Sequence, residues 1–75
     1  MDIPMGTYGI IFNETIELFN LKASDLASES GVGTNQVSRF RNGKTDLQTA
    51  SLEKLIDAMP KNAKAYFYSR LMVAA

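Results

Sequence analysis

Apolar side chains recur along this chain at helical spacing, and no stretch alternates in the way a half-buried strand requires. Tyr8, Phe12, Thr15 and Phe19 fall on one helical face, with Ile11, Ile16 and Leu18 beside it. Asn13, Glu14 and Glu17 lie toward the other side. This predicts a first helix over residues 7–19, after an irregular lead-in over residues 1–6 that contains Pro4 and Gly6. Asn20 is the expected stop, because Asn tolerates the left-handed conformation that ends helices. Residues 23–30 read as a short second helix carrying Leu26 and Ala27 inward, broken by Gly31-Val32-Gly33. A third helix follows over 34–42, with Val37 and Phe40 three apart on one face and Asn42-Gly43 ending it. Residues 44–48 read as a loop.

Leu52, Leu55, Ile56 and Met59 stand at i, i+3, i+4 and i+7, which predicts a fourth helix over 49–59. Thr49 or Ser51 is its candidate cap, and Pro60 its stop. A fifth helix is expected over 61–73, with Asn62 as a candidate cap. Five short helices with short connections predict a compact all-α domain, a single unit over residues 1–75. The fifth helix differs from the others. Tyr66, Phe67, Tyr68, Leu71, Met72 and Val73 cover more than one of its faces. Part of this set must be core, since the helix needs an inward face, and for any one of Tyr66, Phe67, Tyr68, Leu71 and Met72 two readings stay open: intramolecular core or the seam of a homodimer.

Composition narrows the chemistry. Apolar residues make up 45% of the chain and charged residues 21%, which suits a folded domain rather than a disordered one. There is no cysteine and no histidine, so disulfides, thiolate metal sites and the usual general base are all excluded. No catalytic motif is present, and an enzyme is not expected; neither is a cofactor or a bound metal. No apolar run approaches the roughly 20 residues that span a bilayer. Met1-Asp2-Ile3-Pro4 has neither the basic residues nor the apolar stretch of a signal peptide, so a cytoplasmic protein is the expectation. Net charge is zero, unlike most small nucleic-acid binders. Its distribution is uneven, however. Residues 1–21 hold acids and no Lys or Arg, whereas Arg39, Arg41 and Lys44 cluster without an acid between them. Such a local patch can steer a neutral chain onto phosphate.

Ala27, Gly31 and Val37 carry the most information. They stand four and six residues apart inside a helix-break-helix pattern. Two helices that meet steeply over a short turn need a small side chain at the close approach, and Ala27 supplies it. The turn needs a residue free to adopt positive φ, and Gly31 supplies it. The second helix must return an aliphatic side chain into the angle, and Val37 supplies it. Leu26, Val32 and Phe40 complete the lining.

On these residues, Leu21–Lys44 (LKASDLASESGVGTNQVSRFRNGK) resembles the helix-turn-helix of the phage Cro and repressor family, the XRE family. The run Val37-Ser38-Arg39-Phe40-Arg41-Asn42-Gly43-Lys44 is the most specific match, and Ser51-Leu52-Glu53-Lys54-Leu55 fits the helix that follows. The likeness covers residues 8–59. Lys22 and Ala23 depart from the family's usual Ser or Thr and Gln, and Ser30 stands at a place usually apolar.

The resemblance implies a lambda-repressor-like fold and a sequence-specific transcriptional regulator that binds double-stranded DNA. It places Gly33, Thr34, Asn35, Gln36, Ser38, Arg39 and Asn42 on the exposed face of a recognition helix. Arg39 suits a bidentate pair with guanine, Asn35 or Gln36 with adenine, and Thr34 a thymine methyl; Ser38 is a further base contact. Lys22, Arg41, Asn42, the Gly43 amide and Lys44 are the phosphate candidates. Plainer roles stand beside these: Thr34 as a helix cap, Asn42-Gly43 as a structural stop, Arg41 and Lys44 as solvated surface. A homodimer, at least on DNA, is expected. The competing reading is a helix-turn-helix protein-interaction module, such as an antitoxin or a phage inhibitor.

Overall fold

The computed structural model describes residues 6–74; the expected lead-in over residues 1–5 lies outside them. The described chain is all-α, with α1 Thr7–Leu18, α2 Ala23–Ser30, α3 Thr34–Arg41, α4 Thr49–Asp57 and α5 Lys61–Ala74. Each lies within two residues of the element its periodicity predicts. Its radius of gyration is 11.1 Å, close to the ~11 Å of a tightly packed chain this long. No helix among the described residues is long and apolar enough to cross a membrane.

Helix α1 is the central support. It buries Ile11, Phe12, Thr15 and Ile16, and both α3 and α5 pack on it. Thr15 is wholly buried, and its hydroxyl donates to the Ile11 carbonyl at 2.8 Å, so no polar group is left orphaned there. The helix ends at Asn20, as its side-chain chemistry predicts: φ is 56°, and the Leu21 and Asn20 amides donate to the Ile16 and Glu17 carbonyls. Leu18 departs from expectation. It stands 61% exposed, because the inward face ends with Ile16 and a half-buried Phe19.

The approach of α3 to α1 is set by Gly9. A Cβ there would lie 1.7 Å from the Phe40 carbonyl oxygen, well inside any permitted contact. The absent side chain lets Phe40 reach Phe12, with ring centroids 5.5 Å apart. Val37, Phe40, Leu55, Ile56, Met59, Ala63 and Phe67 close the same core. Ala27 is 3% exposed and packs with Leu26 and Val32 in it.

Several caps differ from the sequence expectation. Neither Thr49 nor Ser51 caps α4; Gln48 holds the cap position and makes no side-chain cap bond. The turn before α5 starts at Pro60, whose carbonyl accepts the Lys64 amide at 2.9 Å. Asn62 is the second residue of the helix, and its side-chain oxygen accepts the Ala63 amide. In α5, Phe67 is wholly buried, so it is core and not dimer seam. Tyr66 and Leu71 are half-buried against the body, while Tyr68 and Met72 are exposed.

Candidate nucleic-acid interface

Two short helices, α2 and α3, pack against each other across Gly31-Val32-Gly33. Gly31 takes φ 78°, which an L side chain adopts only at a cost. Ser30 explains its own departure from the apolar pattern. Its hydroxyl donates to the Ala27 carbonyl and accepts the Val32 amide, so it stitches the turn that a hydrocarbon could not.

Gly33, not Thr34, holds the N-cap position of α3, and Thr34 is its first helical residue. The Gln36 side-chain oxygen reaches back to the Gly33 amide at 3.4 Å. From there Val37 and Phe40 turn inward and are fully buried. Each residue advances about 100° around the axis, which puts Asn35, Arg39 and Asn42 on the far side from that pair. Thr34, Asn35, Gln36, Ser38, Arg39 and Asn42 are all exposed.

The C-terminus of α3 is closed tightly. Gly43 takes φ 73°, its amide donates to the Phe40 carbonyl, and the Lys44 amide donates to the Arg39 carbonyl, both at 3.0 Å. This is the paired closure of a Schellman motif. The Gly43 amide is therefore committed within the chain and unavailable to phosphate. Asn42 spends one amide hydrogen on the Ser38 carbonyl at 2.9 Å, so its capping role is real. The Lys44 side chain stays exposed.

Charge is distributed to match. No acid among the described residues forms an ion pair with Arg39, Arg41 or Lys44. Asp46, the nearest acid on the C-terminal side, accepts the Gly6 amide at 3.2 Å; Gly6 lies against Gly43, so this acid stays near the end of α3 without pairing with a cation.

The structure does not gather all the phosphate candidates equally. Arg41 lies on the flank of α3, half-buried, and its Nε–H donates to the Asn13 side-chain oxygen at 2.7 Å. It is no solvated bystander. Lys22 sits at the start of α2, where it offers no cap, and lines a cleft of about 430 Å³ with Asp25, Glu29, Leu26 and Met59.

Three features escape the sequence reading: Gly9, the Asn13–Arg41 bond, and a polar clamp between α1 and α5. In that clamp Glu14 accepts the Tyr66 hydroxyl and the Arg70 Nε–H, the latter at 3.1 Å. The Tyr66 bond, then Arg70, hold the Glu14 carboxyl below its usual range, and the same Glu14 bond raises the Tyr66 phenol. Comparison with family models, curated proteins and solved structures finds no match to this chain.

Proposed function

We propose that this chain binds double-stranded DNA through α3, as a sequence-specific transcriptional regulator of the repressor or Cro-like kind. The observation that carries the reading is the outward surface of α3. It presents Thr34, Asn35, Ser38 and Arg39, exposed and free of acids, on a helix whose other face is locked into the core. A short helix anchored this way and docked on a second helix is what the major groove admits. Arg39 is the base reader for guanine. Asn35 suits adenine, with Gln36 second to it because its oxygen already serves Gly33. Lys44, Arg41 and Lys22 supply phosphate contact, which fixes register without reading sequence.

Two copies then act together on one site. The surface of α5 supports this. Lys64 pairs with Asp57 and Arg70 with Glu14, so both charges are spent on the body. The remaining exposed positions after Asn62 are Ala65, Tyr68, Ser69, Met72, Val73 and Ala74, all uncharged. An uncharged stripe can meet its own copy without like-charge repulsion, which suits the self-complementary contact of a two-fold interface. The two α3 helices would sit about 34–36 Å apart, one turn of B-DNA.

Selection from a pool of random duplex DNA tests the reading. Enrichment of a short palindromic site is the expected result. A pool that stays random through successive rounds, with the chain passing through heparin unretained, contradicts it and favours a protein-binding module.

A further inference from the structure

The bond from Arg41 to Asn13 joins residues 28 apart in sequence and is short for a nitrogen–oxygen pair, at 2.7 Å. Three facts give it direction. First, the Asn13 amide is itself oriented. Its Nδ2 donates to the Glu17 carboxylate at 3.4 Å, which turns its oxygen toward Arg41. A flipped amide would set N–H against N–H and oxygen against carboxylate. Second, the acceptor is neutral. No carboxylate among the described residues pairs with Arg41, so its orientation is fixed while its charge is left whole. Third, only Nε is spent. A guanidinium carries five N–H donors, and the two terminal nitrogens keep their edge for a second partner.

Arg41 follows Val37 by four residues, about 40° around the helix from it, on the flank of α3 that faces α1. A side chain there lies beside the groove-facing stripe rather than within it. That is where a DNA backbone passes when a helix lies in the major groove. We infer that Asn13 is a positioning residue for DNA: it holds the Arg41 guanidinium so that its two terminal nitrogens present a ready fork to one backbone phosphate. This rests on the DNA-binding reading of α3. An ordered fork loses less freedom on binding than a loose side chain, and a fork matches phosphate geometry better than an ammonium does. An acid at position 13 would orient Arg41 equally well but cancel the charge that phosphate needs. The neutral amide supplies orientation alone.

The test is a set of titrations of the whole chain against a 20-base-pair random-sequence duplex over a salt series, with melting curves for every variant. Asn13→Ala should weaken binding about fivefold and leave the salt slope unchanged, because the charge remains. Arg41→Ala should weaken binding further and make the slope shallower by about 0.9. In the Arg41→Ala background, Asn13→Ala should change nothing more. Asn13→Asp is the decisive variant. It keeps the acceptor, so the Arg41 Nε–H resonance should stay slow to exchange in an NMR spectrum, yet binding should fall and the slope should become shallower by about 0.9.

A merely structural tether gives a different pattern. Asn13→Asp would then bind DNA like the parent, and Asn13→Ala would change the melting curve alone; either result overturns the inference. So does an equal loss from Asn13→Ala in both backgrounds. A parent chain that shows no salt-dependent binding to any duplex removes the DNA reading itself, and this inference with it.

Discussion

The outward surfaces of α3 and α5 are built on opposite rules, although both helices dock on α1. That of α3 is polar and basic, with Arg39 and Lys44 exposed and no ion pair to quench them. On α5, Lys61 at the helix start is exposed and in no ion pair among the described residues, but beyond the first turn Lys64 and Arg70 pair with Asp57 and Glu14, and Tyr68, Met72 and Val73 face out at 46%, 79% and 76% exposure. A net charge of zero thus conceals one surface suited to an anion and one suited to a neutral, apolar partner. The lesson is that the state of each charge, free or paired, says more than the total.

The largest effect should come from breaking the support that both surfaces share. Gly9→Ala drives a methyl into the Phe40 carbonyl and should cost about 3 kcal/mol, read in a denaturant melt. Ala27→Leu, at a buried position of α2, should cost about 1–3 kcal/mol. If either variant melts like the parent, that joint is not as tight as described.

Next come substitutions that touch one surface only. Arg39→Ala should lose about 1–3 kcal/mol on a selected site and little on scrambled duplex, while the fold stays intact. Lys44→Ala should weaken both duplexes alike and make the salt slope shallower by about 0.9. Equal loss of both duplexes in Arg39→Ala would make Arg39 a phosphate contact and move base reading to Thr34, Asn35, Gln36 and Ser38. On α5, Met72→Asp should leave a single half-site untouched and weaken a two-half-site duplex about tenfold, measured by sedimentation and titration. Unchanged two-site binding would remove α5 from the proposed dimer.

The first helix ending was legible in sequence because its cause is local: Asn20 tolerates positive φ wherever it stands. Gly43 works the same way. The outward direction of Arg39 was legible too, since two residues turn a helix about 200° from a core-facing Val37. Asn13–Arg41 and Glu14–Tyr66–Arg70 were not, because they join residues 28 to 56 apart and leave no spacing to read. In α5 the periodicity could not separate Phe67 from Tyr68, since apolar residues run around most of the helix. Only packing on α1 decides which is core. Gly9 did carry a signal: a glycine inside a helical run costs stability unless something needs its space.

The smallest effect concerns the clamp that seats α5. Glu14 titrates below its ordinary range in the folded chain, so its contribution is present above the unfolded carboxylate pKa and fades as pH falls through the folded one. The Tyr66 shift runs the other way, and its contribution is lost only as pH rises through the raised phenol pKa. Melting temperature should therefore drop in acid below about pH 4 more for the parent than for Glu14→Gln. Parallel pH profiles for the two chains would show that the clamp contributes nothing.

The proposed reading has α3, and not α5, meeting DNA. Titrating isotope-labelled chain with a short duplex at low salt, and following every backbone amide by NMR, tests it most directly. Shifts should concentrate between Gly33 and Lys44 and at Lys22 and fade as salt is raised, with Tyr68, Met72 and Val73 responding only when the duplex carries two half-sites. A spectrum unchanged by duplex, or one whose shifts begin on α5 and survive high salt, would contradict it.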